Sequence, residues 1–424
     1  MSLILFISLF SFIVINVPIA IAIAFSGLLA LVFGGDLPSF VGIQRLFTGM
    51  DSFPLMAIPF FLLAGKIMEK GGISRRLIDF AASIVGSMTG GLAIVAILAC
   101  MFFAAISGSA PATVIAIGSI MVPAMIKAGY EKGFSIALMA VAGTIGVMIP
   151  PSIPFIIYGI TASVSIGDLF IAGIVPGVLV GISLMIYAYV VSKLRGYKGG
   201  EKTSLKRFVQ TFKSSIWGLL MPIIILGGIY SGVFTPTESG AIACVYGLII
   251  SYFVYNDAKL SDLKPIFVES GIISAMVLLI CAAANIMSWV LATDQIPQKV
   301  SEFVSQNSSS AAILLLIINI ILLIMGTFME LNSAIIITVP ILLPLLMQFD
   351  INLVHFGVIM VVNLAIGLLT PPLGVNLFVA KSLGDITFNR LVKSVLPFLI
   401  IVIIDLILII YLPQLSLVLL GGDN

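Results

Sequence analysis

The feature that most limits this chain is a succession of long stretches without a single Asp, Glu, Lys or Arg. They run over 1–35, 80–126, 133–167, 169–192, 214–237, 270–293, 303–329 and 351–380. Each exceeds the roughly 20 apolar residues that cross a bilayer as a helix. The chain therefore reads as an all-α polytopic membrane protein. Composition agrees: 61% of the 424 residues are hydrophobic and 9% are charged, against about 25% charged in soluble domains. The stretch 80–126 is long enough for two crossings or for a re-entrant hairpin, and the whole chain is expected to make roughly 10–12 membrane segments.

Two of these stretches hold a feature that apolar helices avoid. GTIGVMIPPSIPFIIYG at 143–159 and AIGLLTPPLGVNLFVA at 365–380 each contain a proline pair. Prolines donate no N–H, so each pair breaks a helix and frees carbonyl oxygens. Irregular backbone at membrane depth survives only where protein or a water-filled cavity surrounds it.

Charge sets the orientation. The segment 193–213 carries seven of the twenty Lys and Arg residues. The positive-inside bias places it in the cytoplasm, and a solvated linker agrees with that placement. No Lys or Arg precedes Arg45, so the start lacks the basic region of a signal peptide and residues 3–33 read as retained membrane helix. The net charge of +2 gives no sign of nucleic-acid binding. Cys100, Cys244 and Cys281 sit in apolar sequence and read as packing thiols. His355, the lone histidine, reads as interfacial. No GxxxxGK[ST], HExxH or GxSxG motif is present, so neither ATP hydrolysis by a phosphate-binding loop nor hydrolase chemistry has a basis.

The chain repeats itself. At an offset of 221, Pro150-Pro151 falls on Pro371-Pro372, Gly146 on Gly367, Pro123 on Pro344 and Pro176 on Pro397. Near the start of each half the offset is 223, and Ile73, Arg76, Asp79 and Phe80 fall on Ile296, Lys299, Glu302 and Phe303. The halves are 1–192 and 214–424, joined by 193–213. Each reads as an opening helix or helix pair (3–33 and 214–256), an apolar helix (53–69 and 270–292) and an amphipathic segment (73–84 and 295–306). Each then has two arms meeting at a polar break (about 88–128 and 309–348), a helix broken at the double proline (133–162 and 354–384) and a closing helix. Broken segments at matching places in two halves point to a transporter's binding site. They favour an inverted repeat, although an uncertain count of crossings leaves a parallel one open.

The breaks carry two opposite electrostatic offers. Carbonyls freed at helix C-terminal ends, with a few hydroxyls, suit a hard monovalent cation such as Na⁺. Two sodium sites are expected, one per half: Ser107, Gly108, Gly146, Ile149 and Pro150, and Gly326, Thr327, Gly367 and Thr370. Plain structural kinks without an ion explain the same residues. The helix starts that follow the breaks offer positive ends that attract carboxylates. Ser109, Thr113, Ser152, Asn332, Ser333 and Asn376 sit at such starts and are candidate contacts to an acidic cargo, or simple caps. Glu330 lies between two apolar stretches, where a carboxylate is costly. It would orient the tip, meet cargo hydroxyls or sit at the water interface. Glu238 and Asp405 read as capping or pairing carboxylates.

ISGSAPATVIAIGSIMVPAM at 106–125, GVMIPPSIPFIIYG at 146–159, GVFTPTESGAIA at 232–243 and LLTPPLGVNLFVA at 368–380 resemble the large membrane subunit of TRAP (tripartite ATP-independent periplasmic) transporters, along essentially the whole chain. The resemblance implies an elevator-type transporter of the ion transporter superfamily, with an inverted repeat and two re-entrant helical hairpins whose tips are 107–111 and 326–333. It implies a multi-pass protein of the bacterial inner membrane, surrounded by lipid. It also implies a small four-helix membrane subunit and a soluble periplasmic substrate-binding protein. The small subunit is expected as a separate chain, because this sequence opens on the large subunit's first helix. The implied activity is sodium-symport uptake of a small carboxylate, such as a sialic acid, another sugar acid or a C4-dicarboxylate. A stand-alone ion-coupled anion transporter and a channel are the alternative readings.

Overall fold

The computed structural model describes residues 1–421 except 16, 35–39, 201–203, 297, 300–309 and 372–373. The second amphipathic segment, together with Glu302, Phe303 and Pro372, lies wholly or largely outside the described residues. Those described are helical wherever they are regular. Eight helices are long and apolar enough to cross a membrane, or ten if each of two bent pairs counts as one span.

The chain opens with α1 (Ser2–Val14) and α2 (Ile19–Gly34), a pair in place of one long helix. Next comes α3 (Phe40–Met50), which the sequence reading did not separate from its surroundings. It bends by 58° into the segment ending in α4 (Ala57–Lys70). The amphipathic α5 (Ile73–Val85) buries Ile73, Leu77, Phe80 and Ala81 and leaves Arg75 and Asp79 exposed, the stripe that its 73–84 segment predicts.

Two arms follow, α6 (Gly91–Ser107) and α7 (Ala110–Lys127), joined by Gly108 and Ser109 alone. At 17 residues, α6 is about 25 Å long, short of the roughly 30 Å hydrocarbon layer. Its end at Ser107 is buried within the protein. The first broken helix is three pieces: α8 (Lys132–Ala142), α9 (Ile145–Met148) and α10 (Ile153–Ala162). It bends by 42° at the double proline. The closing α11 (Ile166–Arg195) starts on a Ser165 cap that accepts from the Asp168 N–H at 3.2 Å.

Next comes α12 (Leu205–Tyr230), which begins inside the basic stretch and runs on into the second half. Then α13 (Pro236–Ile249) starts on a capping box in which Thr235 and Glu238 bond each other's backbone, the capping role expected of Glu238. The remaining elements are α14 (Leu260–Thr293), the arms α15 (Ala311–Phe328) and α16 (Leu331–Gln348), the broken pair α17 (Leu353–Gly367) and α18 (Val375–Lys381), and the closing α19 (Phe388–Tyr411). A short turn of helix, α20 (Gln414–Leu417), and a 3-10 turn at Val418–Leu420 follow.

The two halves interleave in space. Opening elements pack together: α2, α3 and α4 against α14, and α4 against α13. Arms, broken helices and closing helices of both halves form a second group, with α8 against α19, α10 against α16, α11 against α17 and α19, and α18 against α7 and α8. The two closing helices thus meet each other, as do the broken-helix pieces α8 and α18. The broken helices lie deepest, since α8 from Gly133 and α17 from His355 are buried at every residue. His355, expected at an interface, is 3% exposed. Asp405 pairs with Ser183 at 2.8 Å, joining α19 to α11. Of the expected packing thiols, Cys100 and Cys244 are buried and Cys281 is partly buried.

Candidate functional site: a cavity between two hairpin tips

The first tip is shaped by Gly108, whose φ of +58° closes α6 in the left-handed region. A side chain is excluded there on a second count: a Cβ on Gly108 would sit 2.7 Å from the Pro151 carbonyl oxygen. The hairpin tip therefore rests directly on the proline break. Both helices that leave this junction start alike. Ser109-Ala110-Pro111 opens α7 and Ser152-Ile153-Pro154 opens α10, with the serine extended and proline in the first turn.

Within the tip, Ser107 Oγ lies 3.0 Å from Thr113 Oγ1, and Thr113 Oγ1 donates to the Ser109 carbonyl at 2.8 Å. Ser107 Oγ is 3.5 Å from that same carbonyl. Gly146 packs onto this cluster, because a Cβ there would meet Thr113 Oγ1 at 2.5 Å and the Ser109 oxygen at 2.6 Å. Three uncharged oxygens thus converge, and Thr113 is fully buried. Neutral hard oxygens without a carboxylate are the donor set a monovalent cation accepts. Among the described residues no group of His, Cys, Asp and Glu could hold a metal ion.

Ile149, from the expected sodium set, and Ser152, from the expected cargo contacts, behave differently. Ile149 is extended, as a residue before proline must be, and its N–H donates to Ile145 O at 3.1 Å. Ser152 is buried, and its hydroxyl donates across the break to Val147 O at 2.6 Å. It braces the proline pair and does not face a cavity.

The second half repeats the backbone contact with other side chains. Gly326 and Gly367 cross so closely that a Cβ on Gly367 would sit 2.5 Å from the Gly326 Cα. Gly326 and Thr327 lie inside the last turn of α15, and the tip itself is Met329 and Glu330. Thr327 Oγ1 donates to Ile324 O at 2.8 Å and Thr370 Oγ1 to Ile366 O at 3.1 Å. Each hydroxyl thus returns to its own chain, and the two do not share an oxygen as Ser107 and Thr113 do. Asn376 is buried; its N–H bonds Leu368 O at 3.1 Å, and its side-chain amide bonds Ala140 O at 3.3 Å. It ties the second broken helix to the first.

Glu330 caps α16. Its carboxylate accepts from the Ser333 N–H at 3.1 Å and from the Asn332 amide at 2.8 Å, with Ser333 Oγ at 3.4 Å. Of the roles open to it, orienting the tip is the one these bonds perform.

Both tips face one cavity of about 390 Å³. Ser109, Glu330, Asn332 and Ser333 line it; Thr113, Ser152 and Asn376 do not. The starts of α7, α10 and α16 all border it, so their positive ends point into one space. Glu330 offsets the end of α16, leaving those of α7 and α10 without a carboxylate. The opposite wall is apolar: Leu62 of α4 and Ile273, Met276, Val277 and Ile280 of α14. This apolar wall went unnoticed in the sequence, because nothing in the pattern of α14 distinguishes a cavity face from a packed one.

A profile described as "Tripartite ATP-independent periplasmic transporter, DctM component" matches residues 6–415. The chain belongs to that family. It is 46% identical over 407 residues to an "Isethionate TRAP transporter permease protein DctMQ" of Oleidesulfovibrio alaskensis, covering 96% of this chain and 64% of that protein. It is 45% identical to the "C4-dicarboxylate TRAP transporter large permease protein DctM" of Pseudomonas aeruginosa, with 88% of each chain covered. A "Sialic acid TRAP transporter large permease protein SiaM" of Vibrio cholerae is 38% identical, with 95% of each covered. Among solved structures, the Alcanivorax borkumensis YdaH transporter superposes with a TM-score of 0.64 over 88% of both chains at 13% identity, a likeness of fold. A DctM-family chain is a transporter component and not an enzyme.

Proposed function

We propose that this DctM-family chain carries a small organic acid across the bacterial inner membrane, coupled to sodium, by movement of the hairpin group against the opening-helix group. The observation that carries the reading is the cavity between the tips. One wall offers positive helix ends and belongs to the arms and broken helices. The other is apolar and belongs to α4 and α14. An acid group held at the helix ends would travel with them while the apolar wall stays. The relatives named for isethionate, C4-dicarboxylate and sialic acid share only an anionic group on a small polar body, so the cargo is placed in that class.

Sodium enters as a co-substrate. The oxygens of Ser107, Ser109 and Thr113 fit it in the first half. The crossing of Gly326 and Gly367, with Thr327 and Thr370, marks the second place. An ion at the first cluster would hold the tip against Gly146 and so shape the helix starts for the cargo. Order gained from one ligand lowers the cost of binding the other, a reciprocal coupling. A small membrane subunit and a soluble periplasmic binding protein complete the system in this reading.

The test is thermal unfolding of the purified complex in NaCl, KCl and choline chloride at equal ionic strength. At a hundredfold excess over Kd, sodium should stabilise the folded state by about 2.7 kcal/mol. Thr113→Val should remove the difference between salts. Identical unfolding in all three salts, with uptake that does not depend on sodium, would overturn the coupling.

A further inference from the structure

A second cavity, of about 490 Å³, lies beside α3. Three helices that line the central cavity also line this one, further from the tips. Along α14 the lining passes from Met276 and Ile280 to Asn285, Ser288 and Trp289. Along α16 it passes from Ser333 to Ile336 and Pro340, and along α10 from Pro154 to Ile157 and Thr161. The second cavity is at the end of the molecule opposite the basic segment. Its wall residue Ile160 also lines the cleft at Ser165 and Asp168, where α11 begins, and α11 ends at Arg195.

Arg45 is the one charged residue lining this cavity among the described residues. Its guanidinium sits over the Trp289 ring, 5.6 Å from the centroid. Gly49, one turn along α3, lets that helix press on α14, since a Cβ there would lie 2.7 Å from the Asn285 Cβ. A cation at the rim of a cleft with apolar walls concentrates anions. A guanidinium fork also matches the paired oxygens of a carboxylate or sulfonate.

We propose that this cavity is an outer station for the organic acid, with Arg45 on the acid group and the Asn285 amide and Ser288 hydroxyl as further donors. The acid would pass from it along α14 to the central cavity. The proposal rests on the transport reading above for the identity of the cargo; the anion selectivity of the cavity does not.

Cys281 lines this cavity and is only partly buried, whereas Cys100 and Cys244 are buried. It serves as a built-in reporter, and Ser288→Cys in a Cys281→Ser background serves as a second. The rates of modification by an anionic sulfonatoethyl and a cationic trimethylammonioethyl methanethiosulfonate are measured on the full chain in membranes. The anionic-to-cationic rate ratio should fall about tenfold in Arg45→Gln, or about 1.4 kcal/mol. It should be kept in Arg45→Lys and should narrow as salt is raised. A ratio unchanged in Arg45→Gln, or two reporters that react with neither reagent, overturns the outer station.

Protection by succinate, isethionate and N-acetylneuraminate is then compared at the outer reporter and at Asn332→Cys in the central cavity. Protection at both, lost only at the outer position in Arg45→Gln, is the expected result. Protection at the centre alone overturns the outer station and leaves the transport reading intact. Protection at neither, with the charge ratio still set by Arg45, counts against these cargoes and upholds the anion-selective cavity.

Discussion

At the first hairpin tip, Ser107, Ser109 and Thr113 pool three neutral oxygens, and Gly146 closes over them. At the second tip a single carboxylate, Glu330, gathers the Ser333 N–H and the Asn332 amide to itself. The backbone device is the same in both: a glycine of a broken helix lies against a hairpin. The side-chain chemistry differs. The first tip keeps unclaimed lone pairs and no charge, so a cation can join it without displacing a partner. The second is already bonded to its own charge. Packing differs in the same sense. The arms α6 and α7 lie along each other, while α15 and α16 touch little and pack separately on α17. The two halves therefore share where the chain breaks and not the side-chain chemistry at each break, and within the sodium reading proposed above the first tip is the stronger candidate.

The largest effect expected to separate the tips comes from the glycines. On Gly367 an added Cβ meets only backbone atoms, at 2.5 Å from the Gly326 Cα and 2.8 Å from the Gly326 oxygen. On Gly146 the nearest atom is the Thr113 hydroxyl, at 2.5 Å, although the Ser109 oxygen follows at 2.6 Å. Overpacking of this kind costs typically about 1–3 kcal/mol. Gly367→Ala should fall at the top of that range and Gly146→Ala below it, because a side chain shifts more readily than a helix backbone. Unfolding in KCl reads both. Equal losses would mean that the two crossings are equally rigid.

The caps come next. Glu330→Ala removes a side-chain cap and should cost about 1 kcal/mol. Ser109 occupies the matching place but makes no side-chain cap bond, so Ser109→Ala should stay within about 0.5 kcal/mol. A loss at Ser109 as large as at Glu330, with sodium absent, would break the contrast between a self-bonded tip and an open one.

What could be read from residues and what could not follows the same physics. The breaks were legible because proline has no N–H and its predecessor cannot stay helical. Ile149 and the Ser152 helix start fall where that rule places them. Glu330 was legible as a carboxylate among apolar residues. The inward or outward sense of each polar side chain was not. Thr113, Ser152 and Asn376 all follow breaks, yet they brace the backbone while Ser109 and Asn332 reach the cavity. A change of one position along a helix turns a side chain by about 100°, and an almost uniformly apolar sequence gives no marker for which side faces a cavity. Helix α3 was hidden for a related reason: at 11 residues it is too short to cross a bilayer alone, and only its bend into α4 makes the two one candidate span.

The last difference is small in the absence of sodium and is the one that bears most directly on the ion. Thr113 Oγ1 bonds Ser107 as well as Ser109 O, across the tip, whereas Thr327 Oγ1 bonds only a carbonyl of its own helix. Replacing threonine by valine keeps the shape and removes the hydroxyl. In KCl, Thr113→Val leaves Ser107 Oγ only its long contacts at 3.5 Å, and one lost hydrogen bond costs about 1 kcal/mol. Thr327→Val should cost a few tenths, roughly the noise of a surface substitution, because the Ile324 carbonyl keeps its helical environment. In NaCl the first difference should widen, since the variant loses the ion as well as the bond, and the second should not change. Widening at Thr327 in place of Thr113 would move the ion to the second tip. The carboxylate cap would then have to be counted as part of the ion's surroundings.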